Sequence, residues 1–422
     1  MDAGLDPCGD SAVATGASNL RVQLGLALIL AVFAALLHSV GIVIERSVAE
    51  WGVSKTVGGM LDGSKDVAIV LSSLLLASQV PRMGYRRTML GGLAVVACAT
   101  ALLATARAFW AVPVLFILTG ACFALVKVSV YSTVGLIARD PTQHTAIMNR
   151  MGGVYQIGAM VAPLVFAWMI SYSSWTHTYW VVCGLAVVSF LLWLGIPLNE
   201  AGVANTGKGP DLSDVIGLLR RPFVLSFLAC ALVDGMLEQS IGTWLPTFNR
   251  DAFGLSAPMV STLLSVYFGS LAISRFLFGS LCRRFSAFVL QEVYLACAFG
   301  LTATVMLLTG PEHALRITDW SQIRPIVPVF CTVGFFIGPI YPTLSSMVLS
   351  RLPKPLHSAM AGLIIIFVAL GGTFGSQLVG FLSQRYSTHA AFHFPLLAIA
   401  TLAVLLFLFR ALCAREDAGA AS

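Results

Sequence analysis

Long apolar stretches recur along the chain, broken by short polar runs. They fall at about 24–46, 56–79, 88–106, 110–137, 145–170 and 177–198, and again at about 223–247, 256–280, 287–309, 326–349, 358–383 and 389–411. A hydrocarbon layer about 30 Å thick takes about 20 residues of α-helix, so each window is a predicted transmembrane helix. Backbone inside a bilayer must satisfy its own hydrogen bonds, and the alternating pattern of porin strands is absent. The pattern therefore predicts an all-α membrane protein with twelve transmembrane helices in two six-helix bundles, residues 21–198 and 223–412. Residues 199–222, with Lys208, Pro210, Arg220 and Arg221, read as a linker between them. Residues 1–20 are Ala/Gly/Ser/Asp-rich and read as a disordered cytoplasmic tail, since they lack the basic start and apolar core of a cleavable leader. Residues 413–422 read as a second tail.

Composition agrees with this picture. The 422 residues are 58% hydrophobic and only 10% charged, whereas a soluble domain carries about 25% charged residues. The formal charge of +6 comes from scattered basic residues that form no stripe, so nucleic acid is not an expected partner. The nine cysteines are dispersed, six of them inside apolar runs, without metal-ligand or disulfide spacing. No phosphate-binding loop, zinc-protease motif or nucleophile–base spacing occurs, which argues against an enzyme and against a bound cofactor.

Basic residues set the expected orientation. One group of loops holds Arg82, Arg86, Arg87, Arg139, Lys208, Arg220, Arg221, Arg283, Arg284, Arg351 and Lys354, and both tails join it through Arg21, Arg410 and Arg415. The opposite loops hold about half as many. The positive-inside bias then places both termini and the linker in the cytoplasm. An internal echo supports the division into halves. Tyr131-Ser-Thr133 followed by His144-Thr-Ala146 returns about 210 residues later as Tyr341-Pro-Thr343 followed by His357-Ser-Ala359, as a parallel transporter repeat would.

Between the second and third windows runs Ala77-Ser-Gln-Val-Pro81-Arg82-Met83-Gly84-Tyr85-Arg86-Arg87. This resembles the major facilitator superfamily motif Gly-x-x-x-Asp-Arg-x-Gly-Arg-Arg, with Ala77 and Pro81 in place of its first Gly and its Asp. The second-half copy, Gly279-Ser-Leu-Cys-Arg283-Arg284, also lacks the acid. The resemblance covers about residues 20 to 412 and implies a secondary transporter in which Arg82, Gly84, Arg86, Arg87, Arg283 and Arg284 form gating loops. Gly334-Phe-Phe-Ile-Gly-Pro-Ile-Tyr341-Pro342-Thr343 and Trp244-Leu-Pro246 are similar to the fucose/proton symporter-like branch. By that alignment Lys127 stands at or near the branch's carboxylate on the fourth span, so the local charge is reversed.

Ionisable residues inside spans carry the candidate chemistry, because each costs about 2.5–3.5 kcal/mol to insert and must face a cavity or a partner. Lys127 lies about 12 residues before Arg139, a rise of about 18 Å, near mid-bilayer; it would meet a substrate anion or hold a fixed salt bridge. Asp62, Lys65 and Asp66 share one face of the second span by their spacing of three and four. Asp234 and Glu238 lie one turn apart on the seventh, beside Gln239. These four carboxyls, with His38, are candidate proton carriers, the alternative being permanent pairing to Lys65 or Lys127. Arg150 reads as an interface residue, and Glu45, Arg46 and Arg275 as gate or interface residues. Tyr131, Asn149, Tyr155, Gln156, Gln239, Trp244, Tyr341 and Gln377 are candidate site lining, though polar contacts between helices explain such residues equally.

The expectation is a multi-pass carrier of the inner (cytoplasmic) membrane, a monomer. It would move a small polar solute, anionic or zwitterionic, between its halves, with H⁺ as the coupling ion and Lys127 facing acids on spans two and seven. A drug or metabolite exporter of the same fold and a non-transporting sensor or assembly factor are the rivals. Reporter fusions placed after Lys208 and after Arg316 are expected to label opposite faces of the membrane; labelling of one face by both would refute the topology.

Overall fold

The computed structural model describes residues 7–76, 79–137, 141–198, 212–282, 284–309, 317, 319–352 and 356–421. Twelve long helices run through them: α1 (Leu20–Trp51), α2 (Lys55–Leu76), α3 (Tyr85–Ala106), α4 (Ala111–Ile137), α5 (Pro141–Tyr172) and α6 (Thr178–Leu194), then α7 (Pro222–Phe253), α8 (Ala257–Leu281), α9 (Ala287–Leu308), α10 (Ile326–Leu349), α11 (His357–Arg385) and α12 (Phe394–Ala421). Eleven segments among the described residues are long and apolar enough to cross a bilayer. The remaining long helix, α2, is dense in charge: it carries Lys55, Asp62, Lys65 and Asp66.

The ends differ from the expected tails. Helical backbone begins at Pro7 and runs without a break into α1, and α12 continues to Ala421. Both ends are rich in alanine, which loses least on entering a helix, and each extends a helix already nucleated in the membrane. The first six residues and most of the linker, including Lys208 and Pro210, lie outside the described residues; Leu212–Leu219 is a short helix leading toward α7.

Within the first half α1 packs on α5 and α6, and α4 on α2 and α3; within the second α7 packs on α11 and α12, and α8 on α10. The halves meet through α2 on α11, α5 on α8 and α1 on α7. Exchanging each helix for the one six places on maps the first of these contacts onto the second and the third onto itself, the relation a duplicated bundle requires.

Two spans are broken where the backbone loses donors or gains competitors. In α1 the break falls at His38-Ser39. The Ser39 hydroxyl donates to the Leu36 carbonyl at 2.8 Å and His38 Nδ1 donates to the Ala34 carbonyl at 2.9 Å, so side chains compete for carbonyls the helix would otherwise use. In α10 the helix is interrupted at Thr332 and again at Gly338-Pro339. Pro342 has no N–H to give the carbonyl four residues back, which is that of Gly338.

Polar ties between the halves concentrate at the end marked by Trp51 and Lys55. Lys55 Nζ donates to Asp251 at 2.6 Å and to Thr388 at 2.7 Å, and its backbone N–H donates to Gln384 at 2.9 Å. Glu45 pairs with Arg250. Beneath them α1 and α7 approach so closely at Gly41 that a Cβ there would sit 2.6 Å from the Thr243 carbonyl oxygen. Removing one partner of the partly exposed Lys55–Asp251 pair costs about 1 kcal/mol, about a fivefold change in a two-state population. Lys55→Ala is therefore expected to lengthen the distance between spin labels at Val53 and Ser256 in a larger share of molecules; an unchanged distance distribution would show that this network does not hold the end shut.

Candidate solute site

The chain enters the space between the halves with charge already in place. On α2, Asp62 is fully buried and its carboxylate accepts from Lys65 Nζ on its own helix at 2.7 Å, and from Gln239 Nε2 and Thr243 Oγ1 on α7, each at 2.7 Å. Lys65 also faces Asp66 at 3.5 Å. The three-and-four spacing read from the sequence thus produces one cluster, Asp62–Lys65–Asp66, whose central ammonium serves two carboxylates. One of those carboxylates is bonded across the seam. A buried charge is tolerable only with such company.

On the facing wall Arg275 of α8 is the organising cation. Its Nε donates to the Gly338 carbonyl at 2.8 Å, the oxygen that Pro342 leaves without a helical donor. Its Nη1 donates to Gln156 of α5 at 3.2 Å, and its Nη2 faces Glu238 of α7 at 3.4 Å. Asp234, one turn from Glu238, is buried and makes no hydrogen bond or ion pair among the described residues, lying in the field of Glu238 and Arg275.

Between these walls lies a partly open cavity of about 190 Å³, bounded by α1, α2, α4, α5, α7 and α8. Its third side is aromatic. His38, at the α1 break, stands edge-on to Phe268 at 4.7 Å and to Tyr155 at 5.4 Å, and Tyr155 stacks on Phe123 at 6.1 Å. Because His38 Nδ1 donates to a carbonyl, a neutral ring leaves Nε2 as its acceptor. Tyr155 lies within electrostatic reach of Lys65, Arg275, Glu238 and Tyr131.

The candidates from the sequence divide. Asp66, Glu238, Gln239 and His38 line the cavity, Gln156 reaches it through Arg275, and Asp62 lies behind it. Lys127 pairs with none of the acids of α2 and α7 among the described residues: Lys65 faces Asp62 and Asp66, Arg275 faces Glu238, and Asp234 stays without an ion pair. Its ammonium instead lies over the rings of Phe123 at 5.6 Å and Tyr131 at 5.8 Å, with no ion pair among the described residues. Tyr131 is exposed and Tyr341 half-buried, within electrostatic reach of one another.

Two candidates point elsewhere. Trp244 is fully buried at the junction of α7, α2 and α11, its Nε1 donating to the Ser376 carbonyl at 2.9 Å. Gln377 lies on the α2–α11 seam beside Thr56, Met60 and Phe374. The side chain of Asn149, and all of Arg283, lie outside the described residues. In the loop before α3, Gly84 has φ +88°, a conformation that favours glycine. Arg86 donates to the Trp193 and Leu194 carbonyls at 3.2 and 2.7 Å, closing the end of α6, while Arg82, Arg87 and Arg284 are exposed. The sequence pointed to neither Lys65 nor Phe268 as a solute ligand, and it marked Arg275 as a gate or interface residue.

Twelve helices in two like halves, enclosing a charged and aromatic cavity, define the architecture of a solute carrier. Residues 22–376 match the sequence profile of the Major Facilitator Superfamily, and the chain belongs to that superfamily. It is 20% identical over 260 residues to Bypass of stop codon protein 6 of Saccharomyces cerevisiae, a match covering 55% of this chain and 50% of that one, so it spans about half the length of that relative. The fold is similar to that of the nucleoside transporter NupG, with a TM-score of 0.71 and 14% identity over 94% of this chain and 98% of the other. It is also similar to a bacterial homolog of the human lysosomal transporter Spinster in an inward-facing, unoccupied conformation, with a TM-score of 0.73 and 13% identity over 98% and 99% of the two chains.

Asp62 and Lys127 should respond oppositely to truncation. Asp62→Ala leaves Lys65 with Asp66 alone and strands two donors on α7, and is expected to lower the stability of purified protein by about 3–5 kcal/mol. Lys127→Ala removes a cation with no carboxylate partner among the described residues and is expected to stay within about 1 kcal/mol of wild type. Thermal unfolding in detergent measures both; equal losses would mean that Lys127 is a structural charge.

Proposed function

We propose that the protein is a secondary active transporter of a small anionic or zwitterionic organic solute. It is coupled to protons and works by alternating access as a monomer of the inner membrane with both termini in the cytoplasm. The observation that carries this reading is the cavity itself: alternating charges on two walls, an aromatic third wall, and ties between the halves concentrated at one end. Carriers of this superfamily bind solute between their halves and expose it to one side at a time. With the termini in the cytoplasm, the Lys55 end is the outer one and the conformation is inward-facing, the state named for the Spinster homolog.

Lys127, over Phe123 and Tyr131, adds near the cavity a cation without an ion pair among the described residues, which favours an anionic group on the solute. The aromatic wall favours a planar ring. The carboxyls supply proton sites. Asp234, buried, and Glu238, part-exposed and paired with Arg275, lie one turn apart, close enough for their charges to interact. Asp62 and Asp66 form the alternative pair around Lys65.

Proteoliposomes test the coupling. An imposed pH gradient, acidic outside, is expected to drive solute accumulation by wild type. Asp234→Asn/Glu238→Gln is expected to retain binding or exchange and to lose accumulation. Unchanged pH-driven accumulation in that variant and in Asp62→Asn/Asp66→Asn would remove all four carboxyls from the mechanism. The absence of saturable flux by wild type, with binding intact, would instead favour a sensor.

A further inference from the structure

Two ion pairs each put one member on the cavity lining, Lys65 and Glu238, with Asp62 and Arg275 behind them, and the two are built differently. Lys65 and Asp62 meet at 2.7 Å with side chains 6% and 0% exposed, whereas Arg275 and Glu238 meet at 3.4 Å with side chains 32% and 36% exposed. Glu238 is thus a loose, accessible partner. The guanidinium it faces is otherwise held by neutral oxygens, the Gly338 carbonyl on α10 and the Gln156 amide on α5. An arginine fixed in its plane by neutral acceptors presents its remaining donors as a fork suited to a carboxylate or phosphate.

We propose that Arg275 is the anion-recognising group of the cavity and that Glu238 is its resident competitor, a carboxylate that an anionic, ring-bearing solute displaces. This rests on the reading of the protein as a carrier of an anionic solute and names the atoms that receive the charge. Lys65 is a poorer receptor because its ammonium is shared between Asp62 and Asp66. Lys127 is a point charge laid over rings, without the planar fork.

The ring has a place beside Arg275. Tyr155 precedes Gln156, the residue Arg275 bonds on α5, and with His38, Phe268 and Phe123 it forms the aromatic wall of the cavity. An anion on Arg275 is held by a group already bonded to both halves, through Gln156 on one side and Gly338 on the other. Displaced from Arg275, Glu238 remains at the open cavity, where its accessibility permits hydration.

Three probes with the same ring separate the charges: benzoate, benzamide and benzylamine, titrated calorimetrically into the purified full chain in detergent. Wild type is expected to bind benzoate in preference to the other two. Glu238→Gln keeps the shape of the side chain and removes the competing charge. It is expected to tighten benzoate binding about 3- to 10-fold, the scale of a partly exposed ion pair. Arg275→Gln is expected to abolish the preference for benzoate over benzamide. Because Arg275 also holds the Gly338 carbonyl at the α10 break, that variant is read only where its thermal unfolding matches wild type, and Glu238→Gln decides the matter without it. Wild type preferring benzylamine would overturn the anionic-solute reading itself. Wild type preferring benzoate, with Glu238→Gln unchanged or weakened, would overturn the competitor assignment alone. Loss of the preference in Lys127→Gln with no effect at Glu238, or binding of no probe by either wild type or Glu238→Gln, would also overturn it.

Discussion

A carboxylate sealed between two helical bundles, Asp62, imposes the condition that the rest of the structure meets. An ionised group in the membrane interior is stable only with a counter-charge and donors close by. Asp62 takes its counter-charge from Lys65, one turn along its own helix, and its remaining donors from Gln239 and Thr243 across the seam. The most highly charged span is thus held on several sides, packed on α4 and α11 and bonded to α7. The bond to α7 draws the halves together just below the Gly41 contact and the Lys55 network. The cavity lies against this pairing, with Lys65, Gln239 and Thr243 on its lining beside Asp66 and Glu238.

The same accounting explains the broken helices. A span gives up a backbone hydrogen bond only if something else takes it. At His38-Ser39 the replacement comes from within the segment, and it turns an imidazole toward the cavity. At Gly338 it comes from another helix: Pro342 withholds the donor and Arg275 supplies one. That cation is thereby anchored at a fixed height and orientation, with Gln156 from the other half completing the hold. Irregular backbone at membrane depth is tolerated where it lines a cavity in this way.

Much of the fold was legible in the sequence, because a bilayer imposes on composition a demand that water does not. Twelve windows were visible even though α2 carries three charges near its middle, and the spacing of Asp62, Lys65 and Asp66 was enough to place them on one face. Partnership was harder to read. Lys127 and the acids of α2 and α7 are charges of opposite sign at similar depth, but depth says nothing of azimuth, and Lys65 and Arg275 stand nearer those acids. Trp244 and Gln377 looked like lining because they are polar groups in apolar spans. Spans packed on several sides are apolar around most of their circumference, so periodicity does not separate a cavity face from a seam. Arg275 had a readable signal in Pro342, whose missing N–H frees the Gly338 carbonyl, but its partner across the fold could be found only in three dimensions.

The central claim is that the halves are joined, and the cavity bounded, by a charge satisfied across the seam. A double-mutant cycle between Asp62→Asn and Thr243→Val, read by unfolding of the purified protein, measures that satisfaction directly. A hydrogen bond to an ionised group predicts a coupling of about 1 kcal/mol or more. Additivity within about 0.3–0.5 kcal/mol would mean that Asp62 draws nothing from α7, and would contradict the account.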